Sequence, residues 1–157
     1  MNIVEKSTVY IKQKFEEGDT SLLTYHNWGH TQKVFEAATV IATNTKEFDN
    51  DKLEELQLAT IFHDVGFLKG AHEHEERSAQ IAEEFLTENN YDSSKIDLVK
   101  RLILSTKMDH KANDLYESII KDADLFHLGS PDYMQTTFVN LPKDCLLYTS
   151  PSPRDRG

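Results

Sequence analysis

The residues of this chain that are best suited to chemistry are an adjacent histidine and aspartate, His63 and Asp64. They lie where an apolar helix is expected to end, and they offer one nitrogen and one oxygen ligand to a cation. This mixture suits divalent zinc, manganese, iron or nickel. The dipeptide is weak evidence by itself, but further imidazoles and carboxylates stand before and after it: His30, His74, Glu75 and Asp124. Together these residues predict a metal site that is centred on His63 and Asp64.

The candidate ligands are far apart in the sequence, so a local turn cannot bring them together. A bundle of helices can, because inward-facing side chains from different helices meet in its interior. Periodicity alone leaves the last ligand open. At 100° per residue, Asp122 and Asp124 fall near opposite edges of the apolar stripe that is centred on Ala123.

Apolar residues recur at helical spacing along most of the chain, and no alternating pattern typical of a strand appears. Asn27 is a good N-cap for the second helix. A further helix is expected from Ser130, because serine is a favoured N-cap and Pro131 suits the first helical position. We therefore predict an all-α fold, a single bundle of about six to seven helices. Six of them are expected near residues 3–15, 27–45, 51–64, 73–89, 96–103 and 115–123.

The end of the chain differs in character from the rest. Residues 145–157 contain Pro151 and Pro153 and have no helical period. They resemble the translated vector or adapter sequence that sometimes ends an assembled reading frame. We therefore expect one helical domain over residues 1–144, followed by a non-native or disordered tail. We also expect the natural chain to continue differently after about residues 141–144, so that the bundle is truncated at its C-terminus.

Composition and charge argue against several classes of function. The formal net charge of −10 would repel a long polyanion, so a nucleic-acid polymer is not an expected partner. No apolar run approaches the ~20 residues that cross a bilayer, and a secretory signal is not recognisable, so we expect no membrane partner and a cytoplasmic location. The single cysteine, Cys145, suggests neither an internal disulfide nor a thiolate zinc site. Any metal must be held by His, Asp and Glu, and the oligomeric state is left open.

Four short motifs follow one another along the chain: residues 25–30 (YHNWGH), 62–67 (FHDVGF), 74–79 (HEERSA) and 121–125 (KDADL). The ordered set resembles the HD superfamily of metal-dependent phosphohydrolases, and it is particularly similar to the small, stand-alone HD/phosphodiesterase-type domains of bacteria. The resemblance implies an all-helical fold that holds a divalent cation. It also favours the second aspartate of the last motif, because the family's ligand precedes a leucine-containing stretch. The implied metal ligands are His30, His63, Asp64 and Asp124.

The resemblance also implies a reaction. A bound cation lowers the pKa of its water and neutralises charge on a phosphoryl oxygen, which suits hydrolysis of a phosphoester or phosphoanhydride bond. We expect a small phosphorylated substrate, with a nucleotide as first candidate, and metal-activated water as the nucleophile. The sequence does not separate a phosphodiesterase from a phosphatase or pyrophosphohydrolase. The alternative from a different class is a non-catalytic sensor domain that binds a metal or a nucleotide.

Roles for individual residues follow from the same expectation. Asp64 could bridge two ions, and His74 or Glu75 could hold the second ion or orient its water; an acidic helix start is the other explanation for these two residues. Lys69 and Lys107 could meet substrate phosphate as point charges. The number of ions, one or two, stays open, as does the metal's identity among Mn, Fe, Ni, Zn, Co and Mg. The remaining histidines are expected outside the ligand set: His26, His72, His110 and His127.

Overall fold

The computed structural model describes residues 1–18 and 27–129, and for residues 126–129 it describes the backbone only. Every regular element in these ranges is helical and no strand occurs in them, which confirms the predicted all-α class. The predicted helix from Ser130 and the tail at 145–157 lie outside the described residues. No described helix has the length and apolar character needed to cross a membrane. In chain order the elements are α1 (Ile3–Glu17), α2 (Trp28–Thr43), a first 3-10 helix (Asn50–Lys52), α3 (Leu53–Phe62), a second 3-10 helix (Val65–Lys69), α4 (His74–Glu88), α5 (Ser93–Leu104) and α6 (Leu115–Gly129).

Helix α3 lies at the centre of the fold. Seven of its ten residues are buried, because it packs against α1, α2 and α5. A helix with apolar residues on most of its sides is stable only inside a core. Since α3 ends at Phe62, the next two residues enter the interior directly, and His63 and Asp64 are 0% and 2% exposed. The core therefore positions this pair.

Side-chain caps determine where several helices begin. Asn27 is the N-cap of α2, as predicted, and its Oδ1 accepts a hydrogen bond from the backbone N–H of His30 at 3.0 Å. This cap starts the helix at Trp28, so that His30 lies in the first turn with a fully buried side chain. Asn2 and Asp92 cap α1 and α5 in the same way.

The second 3-10 helix packs directly on the first turn of α4. The backbone N–H of Gly66 donates to Ser78 Oγ at 2.8 Å. A Cβ at Gly66 would overlap the carbonyl group of His74 and crowd Ser78 Oγ, so glycine alone fits this close approach. The turn ends at Gly70, whose φ of 111° and ψ of 164° are essentially limited to glycine.

Gly66→Ala is expected to lower the free energy of unfolding by about 1–3 kcal/mol, because the added methyl overpacks two backbone segments. The matched control is Gly29→Ala, an exposed position in α2 whose Cβ would contact only Asn27 Oδ1, at 3.2 Å. Alanine favours a helix there but its Cβ would press on the capping oxygen of Asn27, so the loss of stability should be smaller than for Gly66→Ala. Denaturant unfolding measures both variants. Equal stability of Gly66→Ala and the wild type would contradict the close packing.

A buried carboxylate organises the connection from α5 to α6. Glu117 is 1% exposed, and it accepts hydrogen bonds from His110 Nε2 at 2.8 Å, the backbone N–H of Asn113 at 2.9 Å and the Arg101 guanidinium. Burial alone would raise the pKa of Glu117, but these donors outweigh burial and hold the pKa below its usual range. His110 thus belongs to a network that supports the fold.

Glu117→Gln is expected to lower the free energy of unfolding at neutral pH by about 1–3 kcal/mol, because charge-assisted hydrogen bonds are lost. The pKa of Glu117 is lower in the folded protein, so its contribution is present above the ordinary pKa of 4.5 and is lost as the pH falls through the folded value. The variant should therefore lose less stability than the wild type on acidification. Glu88→Gln, at an exposed position of α4, is the control. Equal unfolding curves for the two variants would rule out the network.

Candidate metal centre

Side chains from α2, the end of α3 and α6 converge inside the bundle. His30 Nε2 lies 2.9 Å from Asp124 Oδ1 and 3.3 Å from Asp64 Oδ2. His63 Nε2 lies 3.4 Å from the same Asp124 oxygen and 3.5 Å from Asp64 Oδ1. One ligand atom each from His30, His63 and Asp124 lies within 4.8 Å of the other two, close enough for all three to hold one ion. The structure thus brings the four predicted ligands together, and Asp124 rather than Asp122 joins the group.

The ring of His63 is held so that one nitrogen faces this cluster. Its Nδ1 donates to the carbonyl oxygen of Thr60 at 2.6 Å, which leaves Nε2 as the nitrogen that takes up a proton or a metal. Nε2 is buried 3.4 Å from Asp124 Oδ1 and 3.5 Å from Asp64 Oδ1, yet it makes no hydrogen bond of good geometry among the described residues. Burial alone would lower the pKa of His63, but the carboxylates of Asp64 and Asp124 outweigh burial and raise the pKa to about 10. The position therefore favours a positive charge.

The donor set fits a divalent cation. Burial alone would raise the pKa of Asp124, but His30 and His63 outweigh burial and lower it below its usual range, so that the carboxylate stays ionised. A cation bound by these residues would neutralise the carboxylates of Asp64 and Asp124 and would also satisfy the buried Nε2 of His63. Two imidazoles with two carboxylates suit zinc, manganese, iron, cobalt or nickel better than magnesium, which prefers oxygen ligands.

His74 and Glu75 border the cluster at the first turn of α4. His74 Nε2 lies 3.6 Å from Asp64 Oδ1 and 3.3 Å from Glu75 Oε2, while its Nδ1 lies 3.3 Å from the carbonyl oxygen of Ala71. The ring of Phe67 covers the ring of His74, with centroids 3.7 Å apart. Both His74 and Glu75 are 14% exposed, so this edge is closer to solvent than the two buried histidines of the cluster.

The family model for the HD domain matches residues 27–129, well over half of the chain. The chain belongs to the HD domain family. The matched range of the HD domain begins at the N-cap of α2 and includes every residue of the cluster. HD domains typically bind divalent metals and are generally metal-dependent hydrolases. Comparison of the chain with curated proteins and with solved structures gave no match.

The two lysines that the sequence assigned to phosphate lie on different parts of the HD domain. Lys107, between α5 and α6, forms an ion pair with Glu76 of α4, and this partner raises the pKa of Lys107. Since Glu76 follows Glu75, the pair lies beside the His74 edge of the cluster. Lys69 is exposed on the second 3-10 helix. Nothing in the sequence indicated that Glu76 would be the partner of Lys107.

Sequence reasoning missed three polar residues that support the site of this HD domain. Lys121 of α6 donates to the carbonyl oxygens of Ser105 at 3.1 Å and Lys107 at 2.9 Å, and burial lowers the pKa of its ammonium. Arg77 and Ser78 of α4 bind the backbone of the second 3-10 helix. Arg77 and Ser78 lie in the motif at residues 74–79, and Lys121 lies in the motif at residues 121–125. Their presence in these motifs was the signal that could have identified them.

Proposed function

We propose that this HD domain hydrolyses a phosphoester or phosphoanhydride bond of a small phosphorylated molecule, with a nucleotide as first candidate, and that it needs a divalent cation. The observation that carries the proposal is His63 Nε2, a buried nitrogen that faces the carboxylates of Asp64 and Asp124. These three residues and His30 would hold the cation. When bound, a divalent cation lowers the pKa of water and neutralises negative charge on a phosphoryl oxygen.

The ligand side chains are oriented by the fold itself. The carbonyl oxygen of Thr60 fixes the ring of His63, and the capped first turn of α2 fixes the backbone of His30. Asp64 directs its two oxygens differently, with Oδ2 towards His30 and Oδ1 towards His63 and His74. Ligands that are already ordered lose little conformational entropy when an ion binds, which favours tight binding.

We assign proton transfer at the edge of the cluster to His74 and Glu75. Glu75 Oε2 and His74 Nε2 lie 3.3 Å apart, so either atom can take a proton from the attacking water and return it to the leaving oxygen. His74 Nε2 is also 3.6 Å from Asp64 Oδ1. A second cation shared by Asp64, His74 and Glu75 is therefore the other role for these residues, since two-metal sites hold the attacking and leaving oxygens together.

The charge of the chain favours a small substrate over a polymer. A net charge of −10 repels a long polyanion, whereas a single phosphate group needs only local positive charge. Lys107 and Lys69 are the proposed phosphate contacts. Because Lys107 is paired with Glu76, a substrate phosphate would replace that carboxylate at the ammonium group.

A screen of phosphorylated compounds tests the proposal. The panel contains nucleoside mono-, di- and triphosphates, cyclic nucleotides and simple aryl phosphates, each incubated with Mn²⁺, Co²⁺, Ni²⁺, Zn²⁺ or Mg²⁺, under anaerobic conditions with Fe²⁺, and with a chelator. We expect turnover of at least one class with a cation and none with the chelator. Asp124→Asn should reduce turnover by about 100-fold or more, because a ligand is lost. The matched control is Asp122→Asn, which removes the same charge two residues away and should leave turnover unchanged.

The alternative function, a non-catalytic sensor that binds a metal or a nucleotide, gives a different result in the same screen. Protein that carries stoichiometric metal but turns over no phosphorylated compound would contradict the hydrolase and favour the sensor. The complete set of four candidate ligands, His30, His63, Asp64 and Asp124, favours the hydrolase.

A further inference from the structure

Arg77 and Ser78 hold the turn that follows Asp64 against helix α4. Ser78 Oγ accepts the backbone N–H of Gly66 at 2.8 Å, and Arg77 Nε donates to the carbonyl oxygen of Gly66 at 3.2 Å. Arg77 Nη2 also donates to the carbonyl oxygen of Gly70. A single pair of neighbouring residues in α4 thus binds both the start and the end of this turn.

We propose that Arg77 and Ser78 are positioning residues that set the distance between Asp64 and His74, and that they thereby set the affinity of the site for its cation. The inference rests on the cation site of the proposed function, but it does not depend on which bond is cleaved. The side-chain hydrogen bonds of Arg77 and Ser78 go to backbone groups of the turn, not to the side chains that would hold the cation. Their effect would pass through the backbone.

The contacts make this path short. Gly66 is two residues after Asp64, and Ser78 is one turn of α4 after His74, so the two hydrogen bonds on Gly66 connect the backbones that carry the two side chains. Ser78 is fully buried, and the bond from Gly66 is therefore not exchanged for one to water. The lack of a Cβ at Gly66 lets the two backbones come into direct contact.

The other half of the cluster has supports of its own. His63 is oriented by Thr60, and the backbone of His30 is held by the Asn27 cap. Loss of the Gly66 contacts should therefore displace the Asp64 carboxylate relative to His74 and also relative to His30 and His63, which stay in place. Metal sites tolerate displacements of only about 0.5 Å before binding suffers.

Titration of the metal-free protein with Mn²⁺ alone tests the inference, at a temperature where circular dichroism shows each variant to be folded. Ser78→Ala and Arg77→Met should each weaken the affinity for Mn²⁺ by about 10- to 100-fold, the usual effect of removing a support behind a metal ligand. Arg77→Lys should fall between Arg77→Met and the wild type, because an ammonium keeps the positive charge but lacks the planar, forked geometry of the guanidinium that joins the two carbonyl oxygens.

Two control variants separate positioning from a general loss of stability. Ser7→Ala removes another fully buried hydroxyl, one that makes no hydrogen bond with the described residues. Arg101→Met removes an arginine with two partners, Asp114 and Glu117, at the start of α6. Both controls should keep the wild-type affinity for Mn²⁺ whatever their melting temperatures.

Wild-type affinity in folded Ser78→Ala and Arg77→Met would overturn the inference and leave these residues with a structural role alone. If neither variant folds, Arg77→Lys decides: a threefold or greater loss of affinity supports the inference, and no loss overturns it. Failure of the proposed function looks different. A wild-type protein that binds Mn²⁺ but hydrolyses nothing would remove the hydrolase and leave the positioning result intact.

Discussion

Asp64→Asn is expected to weaken the binding of a divalent cation by about 100-fold or more while the helix content stays unchanged. The substitution removes a charge at nearly constant volume from a site that is 2% exposed. Asp64 also lies close to three imidazoles, since its oxygens lie 3.3 Å from His30 Nε2, 3.5 Å from His63 Nε2 and 3.6 Å from His74 Nε2. A neutral amide would offer these positions one weak oxygen ligand and no charge.

Calorimetric titration with Mn²⁺ and circular dichroism measure the two halves of this prediction. Asp97→Asn is the matched control, because Asp97 is exposed on α5 and its loss should leave the affinity unchanged. The rise in melting temperature that Mn²⁺ produces should also shrink in Asp64→Asn, since the stabilisation by a ligand grows with the logarithm of its concentration relative to Kd. Wild-type affinity in Asp64→Asn would remove this residue from the ligand set and count heavily against the cation site.

The helices were predictable from the sequence because burial repeats along it, but the ligand set was not predictable from periodicity. The apolar stripe left Asp122 and Asp124 as equal candidates, and only the family resemblance, through the leucine that follows Asp124, separated them. The physical reason is the packing of α2 against α6, which brings Asp124 Oδ1 within 2.9 Å of His30 Nε2. A repeat along one helix carries no information on the angle at which another helix crosses it.

The residues that support the site could not be predicted either, because their contacts also join different parts of the chain. Arg77 and Ser78 reach backbone groups of Gly66 across a turn, and Lys107 reaches Glu76 from a different part of the chain. Arginine, serine and lysine are also common on exposed helix surfaces, so the residue types alone indicated no special role. The roles of Arg77 and Ser78 depend on how closely the second 3-10 helix packs against α4. The only sign of this close packing in the sequence is Gly66.

The sequence also left two explanations for His74 and Glu75, a ligand edge or an acidic helix start. The N-cap of α4 is Glu73, which makes no side-chain capping hydrogen bond. His74 instead lies 3.6 Å from Asp64 Oδ1 and 3.3 Å from Glu75 Oε2. Glu75 and Glu76 also lie in the first turn of α4, where acidic residues suit the helix dipole, so the structure is compatible with both explanations.

The affinity for Mn²⁺ is expected to rise about tenfold for each pH unit from about pH 7 to about pH 9. Burial lowers the pKa of His63, but the carboxylates of Asp64 and Asp124 outweigh burial and raise the pKa to about 10 in the metal-free protein. Nε2 therefore carries a proton throughout this range, and a cation must displace that proton. One proton released for each ion bound gives the tenfold slope.

The stability of the metal-free protein should change in the opposite direction over the same range. Because folding raises the pKa of His63, protonation stabilises the folded state fully below the ordinary pKa of 6.5, and this contribution is lost as the pH rises towards about 10. A rise in pH thus weakens the metal-free fold and strengthens the metal complex. The stabilisation by a fixed concentration of Mn²⁺ should therefore grow with pH.

Titration calorimetry in buffers of different protonation enthalpy counts the released protons, and melting curves with and without Mn²⁺ follow the stability. His63→Gln should bind more weakly and lose the slope, because glutamine does not titrate. His72→Gln should keep the slope, since the His72 side chain is 92% exposed. A wild-type affinity independent of pH would mean that Nε2 carries no proton before the ion arrives. The two carboxylates would then have to be balanced by a charge other than His63, which would contradict the raised pKa of His63 in the metal-free protein.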